Sequence, residues 1–262
     1  MSNNLIRKIG KAVHYYLSNP SALIERERVI ETADGVAMLC LLENYIERSI
    51  FETGVWEQAE TAIVRKAIHP SQVCLDIGAN VGYFSLLMAK LGATVHAYEP
   101  TSYAFNRMKA NIALNPNLAQ NIVLYKQGLS DRSFEFEEAL ESRFSSRVLA
   151  HSESEKISFK TLDSVWSGPL HFLKVDVDGH DTEVIRGGLN TLRLNKPIVL
   201  AEFCDRVLRP YNSSVADLAN AFIECGYSRC KILETGEETS LHSFAAERRA
   251  SDMSSRNLLL IP

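Results

Sequence analysis

The stretch VCLDIGANVGYFSLL, residues 73–87, runs from an apolar segment through a glycine-bearing turn into a second apolar segment. Val73 to Ile77 is the length of a buried strand, and the residues from Tyr83 to Leu91 carry a helix. Gly78 sits where the turn needs a backbone conformation closed to side chains with a Cβ, and Gly82 permits close approach of a ligand or of the next helix. A dinucleotide fingerprint, G-x-G-x-x-G, fails here because Asn80 and Tyr83 hold the second and third glycine positions. A pyrophosphate is therefore not expected. Asp76, just ahead of the turn, repels phosphate and suits a cation such as an ammonium or a sulfonium-bearing amino acid. The plain alternative is a tight strand-to-helix connection with no ligand.

Outward from this stretch, strands and helices alternate: strand Thr94 to Tyr98, helix Ser102 to Leu114, strand Ile122 to Gln127. Alternation of this kind predicts a parallel sheet with helices on both faces. A charged interruption, Asp131 to Lys160, holds SFEFEE and KISFK as paired strands around a polar loop. Alternation resumes with HFLKVDV, a helical stretch Thr182 to Leu194, and PIVLAEF. Ser213 or Ser214 caps a helix running through Cys225, and SRCKIL and NLLLI supply late strands that pair antiparallel at the sheet edge. Upstream, Asp34-Gly35 signals a hairpin turn, and WEQAETAIVRKAI has helical spacing that ends before His69-Pro70. Residues 1–70 form an N-terminal helix and β/α extension acting as lid or platform. Residues 71–262 form the main domain.

Composition bounds the function. The 262 residues are 46% hydrophobic and 23% charged, ordinary values for a globular α/β chain. A net charge of −4 and a pI near 6.0 give no basic field for nucleic-acid phosphates, so nucleic acid is not an expected partner. The five cysteines form no C-x-x-C pair and read as reduced thiols, which with the absence of a signal-peptide-like apolar start implies a cytoplasmic protein. No run reaches the roughly 18 apolar residues of a membrane span. Leu5, Ile6, Ile9, Ala12, Val13, Tyr16 and Leu17 share one helical face, which either docks on the domain or lies on a membrane surface. That face and the 131–160 insert also offer surfaces for a homodimer.

Three acidic clusters fall at strand ends, where ligands of open α/β sheets collect. Asp76 belongs to the first. Glu99, in HAYEP, stands 23 residues later, close to the offset of about 20 at which a carboxylate grips ribose hydroxyls. In KVDVDGHD, strand alternation puts Asp176 and Asp178 on one side, with Gly179 turning the chain and His180 emerging near the strand end.

Taken together, DIGANVGYFS, YEP, GLSD, TLDSV and FLKVDVDGHDTEVIRGG resemble the FkbM family of S-adenosylmethionine-dependent methyltransferases, over about Tyr45 to Phe203. The resemblance implies a Rossmann-like class I methyltransferase fold with a seven-stranded, mostly parallel sheet. It implies S-adenosylmethionine as cofactor, its methionine end on the turn formed by Asp76, Gly78, Ala79, Asn80, Gly82, Tyr83, Phe84 and Ser85. The ribose would fall on Glu99 and Pro100, with Gln127 and Gly128 near the adenine. Glu57 matches a family position upstream of the first motif, and Asp176 borders the same site. Where the family more usually shows Glu, this chain has Asp178, which reaches one methylene less far.

A hydroxyl or amide nucleophile needs its proton withdrawn, and His180 is the expected base, since neutral imidazole is available near pH 7. Asp176, Asp178 and Glu202 complete the catalytic set. Asp176 and Glu202 on neighbouring strand ends could alternatively hold Mg²⁺, though no metal is required by the motifs. Trp56, Tyr83, Tyr103, Trp166, Phe203 and Tyr211 are candidates for an acceptor wall, and Arg206 and Arg209 for meeting an acidic acceptor. The implied reaction is O-methylation of a sugar, glycolipid or natural-product hydroxyl, or N-methylation of side-chain amides in a ribosomally made peptide. A metal-dependent glycosyltransferase matches only the DVD triplet. An NAD-dependent oxidoreductase is disfavoured by the broken fingerprint, and a non-catalytic binding module by the retention of the acidic strand ends.

Overall fold

Strand alternation decides which side chains meet in this protein. The computed structural model describes residues 27–139, 154–247 and 254–262. The apolar helical face expected around residues 5–17 lies outside them. A hairpin comes first, β1 (Glu27–Glu31) antiparallel to β2 (Ala37–Leu41), turning at Asp34-Gly35 as its sequence predicts. Helices α1 (Tyr45–Thr53) and α2 (Gln58–Ala67) follow. Then come β3 (Val73–Ile77), α3 (Tyr83–Lys90), β4 (Thr94–Tyr98), α4 (Ser102–Leu114) and β5 (Ile122–Tyr125).

β6 (Gly128–Leu129) precedes the insert, which contains β7 (Phe134–Ala139) and β8 (Ser154–Lys160), with β7 antiparallel to β8 as the two runs of alternating residues imply. After α5 (Leu162–Val165) and β9 (Phe172–Val175), the predicted single helix is split into α6 (Asp181–Arg186) and α7 (Leu189–Asn195). The break falls at Gly187-Gly188, where side chains cannot fit: a Cβ on Gly187 would stand 2.0 Å from the Ser130 carbonyl oxygen, and one on Gly188 would strike Leu162. The chain closes with β10 (Ile198–Phe203), α8 (Asp205–Leu208), α9 (Val215–Glu224), β11 (Arg229–Ile232), β12 (Glu238–Ser240), α10 (Leu241–Glu247) and β13 (Arg256–Ile261). Ser214 caps α9 by accepting from the Asp217 amide.

The main sheet runs β12-β11-β13-β10-β9-β3-β4-β5, parallel from β10 to β5. Seven of these strands are the class I methyltransferase frame, and β12 adds an eighth at the edge. β13 does not lie at the edge: it is antiparallel to both β10 and β11 and sits between them. The chain leaves β3 toward β4 and β5 and returns to β9 on the other side, so the order reverses between β3 and β9. That reversal opens a crevice beyond their carboxyl ends.

Residues alternate strictly between two cores. Leu75, Ile77, Leu173, Val175, Val199, Ala201 and Phe203 face one apolar cluster, and Cys74, Val95, Ala97, Phe172 and Leu200 face the other, together with α3 and the platform. Asp76 and Lys174 are partners across β3 and β9 and share the parity of the second face. All five cysteines are buried, and none forms a disulfide among the described residues.

A polar stripe on α4 holds the platform in place. Arg107, Asn111 and Asn115 recur every four residues, hence on one helical face. Asn115 and Asn111 accept from the Ala37 and Leu39 amides of β2 at 3.0 and 2.8 Å, and Asn115 donates back to the Ala37 carbonyl at 2.7 Å. The open edge of the hairpin is thus paired with side chains instead of a strand. Arg107 binds the carboxylates of Glu27 and Glu47, and Glu47, fully buried, also accepts from the Leu41 amide and the Tyr103 hydroxyl. Arg107→Met strands Glu47 without its counter-ion. The expected loss is about 3–5 kcal/mol, a melting temperature lower by about 6–20 °C at about 2–4 °C per kcal/mol, readable by calorimetry.

Candidate active site

The Gly-bearing turn is built by backbone bonds from both sides. The Gly78 and Ala79 amides donate to the Tyr98 carbonyl, and the Asp176 amide donates to the Ile77 carbonyl. Gly78 has φ of +82°, and a Cβ there would lie 1.9 Å from the Asp176 carbonyl oxygen. Its glycine therefore serves the close approach of the β9 end. At Gly82 (φ +87°), a Cβ would meet Met108 of α4 at 2.7 Å, so the next helix takes this space.

Glu99 ties the turn to the end of β4. One oxygen accepts from the Asn80 amide at 2.9 Å, the other from the Thr101 amide and hydroxyl at 3.0 and 2.6 Å. Burial pushes its pKa up, against these bonds. Asn80 itself is held at φ of +50°. Asp76 is buried at the base of the crevice, where Ser85 donates to its Oδ2 at 2.5 Å. Its Oδ1 is buried without a hydrogen-bond partner among the described residues. Burial raises the Asp76 pKa, with Lys174 and Ser85 opposing.

Lys174, absent from the sequence-derived site, stands at the centre. Its ammonium donates to Asp176 Oδ2 at 2.8 Å and lies 4.7 Å over the Phe84 ring. Burial works to lower its pKa, and the carboxylates of Asp176, Glu57 and Asp76 more than reverse this, so the net shift is upward. Glu57 arrives from the platform in a left-handed conformation, φ 44° and ψ 78°, and makes no side-chain cap on α2. Burial raises its pKa, while Lys174 opposes and Asp176, Glu60 and Glu202 add. Glu202 accepts from the Ser255 hydroxyl at 2.5 Å, and its pKa is raised by burial and by Asp176.

Asp178 stands exposed at the mouth with φ of +51°, a strained angle for a residue with a Cβ. Desolvation of its carboxyl, with Asp176 and Glu202 adding, raises its pKa to about 6. Asp181 holds the turn beneath it, accepting from the Val177 and Gly179 amides at 3.3 and 3.2 Å. A Cβ on Gly179 would fall 2.1 Å from the Val207 carbonyl oxygen, so this turn too is sterically fixed.

The profile of the methyltransferase FkbM domain matches residues 76–229. The chain belongs to the FkbM methyltransferase family. The FkbM domain is that of an S-adenosylmethionine-dependent methyltransferase, and its strand order is the class I frame. A hexuronic acid methyltransferase, AglP, of Haloferax volcanii is 27% identical over 149 residues, covering 52% of this chain and 58% of that protein. The crystal structure of an FkbM methyltransferase from Methylobacillus flagellatus is 12% identical, with a TM-score of 0.48, covering 76% of this chain and 50% of that one. A tRNA (uracil-54, C5)-methyltransferase of Pyrococcus abyssi, solved with S-adenosylhomocysteine, is 14% identical, with a TM-score of 0.46, covering 90% and 44%. The chain thus spans about half the length of these relatives.

The donor set of this FkbM domain fits the amino-acid end of such a cofactor: an orphaned, buried carboxylate oxygen on Asp76 faces a crevice rimmed by further carboxylates. Asp176 is an electrostatic neighbour of Glu57, Asp76, Asp178 and Glu202, and Glu99 of Asp76 and Asp178. His180 packs against aromatic rings. Its ring lies 4.1 Å from Tyr211 and 6.4 Å from Phe159, its charged neighbours are Glu183 and Asp131, and its Nδ1 is buried without a partner among the described residues. Burial lowers its pKa, which keeps the imidazole neutral. Gln127 is half-buried two residues beyond β5, and the room over Gly128 is taken by the Phe159 ring, 2.4 Å from where a Cβ would stand. Pro100 is half-buried beside Glu99.

Most of the aromatic candidates turn elsewhere. Phe203 is core, Tyr83 packs on Phe84 and contacts Thr61, Tyr103 binds Glu47, and Trp166 lies edge-on to His96. Trp56 and Tyr211 remain half-buried near the platform and the 178–180 turn. Among the described residues no group of three His, Cys, Asp or Glu side chains is arranged to hold a metal ion. No described helix is long and apolar enough to cross a membrane.

Proposed function

We propose that this protein transfers a methyl group from S-adenosylmethionine to a hydroxyl of a sugar or sugar-bearing acceptor. The observation that carries this reading is the crevice between β3 and β9: several carboxylates around one ammonium, with a buried unpartnered oxygen on Asp76. When bound, S-adenosylmethionine supplies an electrophilic methyl carbon on a positively charged sulfur. Asp76, Asp176 and Glu57 would receive its amino-acid end, and the Asn80 turn with Glu99 its ribose. Such positioning alone is worth about 7–11 kcal/mol of barrier.

A sugar hydroxyl is a poor nucleophile until deprotonated, and Asp178 is the proposed base. It is exposed at the mouth, shares its field with Asp176, Glu202 and Glu99, and its pKa of about 6 leaves it ionised at neutral pH. Arg206, exposed and electrostatically close to Glu202, suits an acceptor carrying a carboxylate. The hexuronic acid substrate named for the Haloferax relative points the same way.

Incubation with radiolabelled S-adenosylmethionine and a panel of uronic acid, neutral sugar and asparaginyl peptide acceptors tests the reading. Label in the uronic acids supports it, and label in the peptides alone overturns the hydroxyl acceptor. Cofactor choice is checked separately by thermal shift. At a hundredfold excess over the dissociation constant, S-adenosylhomocysteine should add about 2.7 kcal/mol, which is about 5–11 °C at about 2–4 °C per kcal/mol. NAD and sugar nucleotides should add nothing measurable.

A further inference from the structure

The centre of the crevice is a lysine in a strand whose other three residues are apolar, so that packing gives no reason to hold it. Lys174 lies in β9, whose four residues are all buried, and is itself 5% exposed. Burying an ammonium is costly unless it is paired and its donors are used. Here it is paired: Asp176 Oδ2 at 2.8 Å, the Phe84 face at 4.7 Å, Asp76 across the strand register, and Glu57 within its field.

We propose that Lys174 is a positioning residue that acts through Asp176, fixing the orientation of that carboxylate at the crevice wall before the cofactor arrives. Residues 174 and 176 share one face of the chain, so the lysine reaches its partner without leaving the strand row. Asp176 keeps about a third of its side chain exposed, whereas the lysine is almost fully covered. The ammonium therefore grips one oxygen from below, and the rest of the carboxylate is presented to the crevice. Without the lysine, Asp176 would face Glu57, Asp76 and Glu202 with the Lys174 ammonium gone from among them, and like-charge repulsion would turn it away. A metal ion at Asp176 and Glu202 would meet a site whose inner carboxylate already carries a cation.

This inference rests on the reading that the crevice takes the amino-acid end of S-adenosylmethionine. Calorimetric binding of S-adenosylmethionine and S-adenosylhomocysteine to the wild-type protein tests that reading alone, and Lys174 is tested against it with K174M, K174R, D176N and K174M/D176N. The expected K174M affinity is at least about tenfold weaker than that of the wild type, while K174R, which keeps a cation there, stays within about threefold of it. D176N should be weakened similarly, and the double variant should lose no more than about threefold beyond D176N, since Lys174 then has nothing to position. That last comparison stands even if K174M fails to fold, because the double variant removes both charges together. Wild-type affinity in K174M or D176N, equal losses in K174M and K174R, or losses that multiply in the double variant would overturn the proposal.

Discussion

Gly78→Ala is expected to remove cofactor binding and to cost about 2–5 kcal/mol of stability, combining left-handed backbone strain with the displacement of packed main chain. The new methyl carbon would be placed 1.9 Å from the Asp176 carbonyl oxygen, a backbone atom that cannot swing aside as a side chain can. Relief requires β3 and the end of β9 to separate, which opens the strand reversal that forms the crevice. Gly236 provides the control, with φ of +74° and nothing within 4 Å of the point where a methyl carbon would stand. Gly236→Ala carries the backbone strain without the overlap and should cost about 1–2 kcal/mol, leaving binding intact. Chemical denaturation of the two variants measures the difference. Equal losses would mean that Gly78 serves only its own dihedral angle.

Asp178→Asn is expected to lower turnover by at least about a hundredfold, with the dissociation constant for S-adenosylhomocysteine within about threefold of wild type. The substitution keeps the size of the side chain and removes its capacity to take a proton. A base works only when deprotonated, so the wild-type rate should rise tenfold per pH unit up to about 6, where the Asp178 carboxyl titrates, and level off above it. The variant should lose that limb. His180→Ala should change turnover only a few-fold, because the ring packs against Tyr211 and Phe159 and its charged neighbours are Glu183 and Asp131. The opposite ranking in a pH-rate series would return the role of base to His180.

What the sequence made legible was whatever is local. The turn at 78–82, the hairpin at Asp34-Gly35 and the Ser214 cap each follow from residues within a few positions of one another. Glu99 was legible for the same reason, as an acidic strand end at a known offset. The strand order was not, because nothing in NLLLI says that β13 will slip between β10 and β11. The α4 stripe was illegible because the hairpin and platform partners of Arg107, Asn111 and Asn115 lie 60 to 80 residues upstream. Lys174 did leave a signal: a charged residue inside a four-residue apolar strand has to be paired, and its partner two residues on was already in view. His180 shows the reverse case. Its proximity in sequence to Asp178 suggested one site, and what the sequence could not show is that its ring packs against Tyr211, beyond the turn at Gly179.

The most direct measurement is a crystal structure of the protein grown with S-adenosylhomocysteine. The account predicts density beyond the ends of β3 and β9, its amino-acid end against Asp76 and Asp176 and its ribose within hydrogen-bond distance of Glu99. An empty crevice, or the same compound bound elsewhere with the carboxylates untouched, would contradict it.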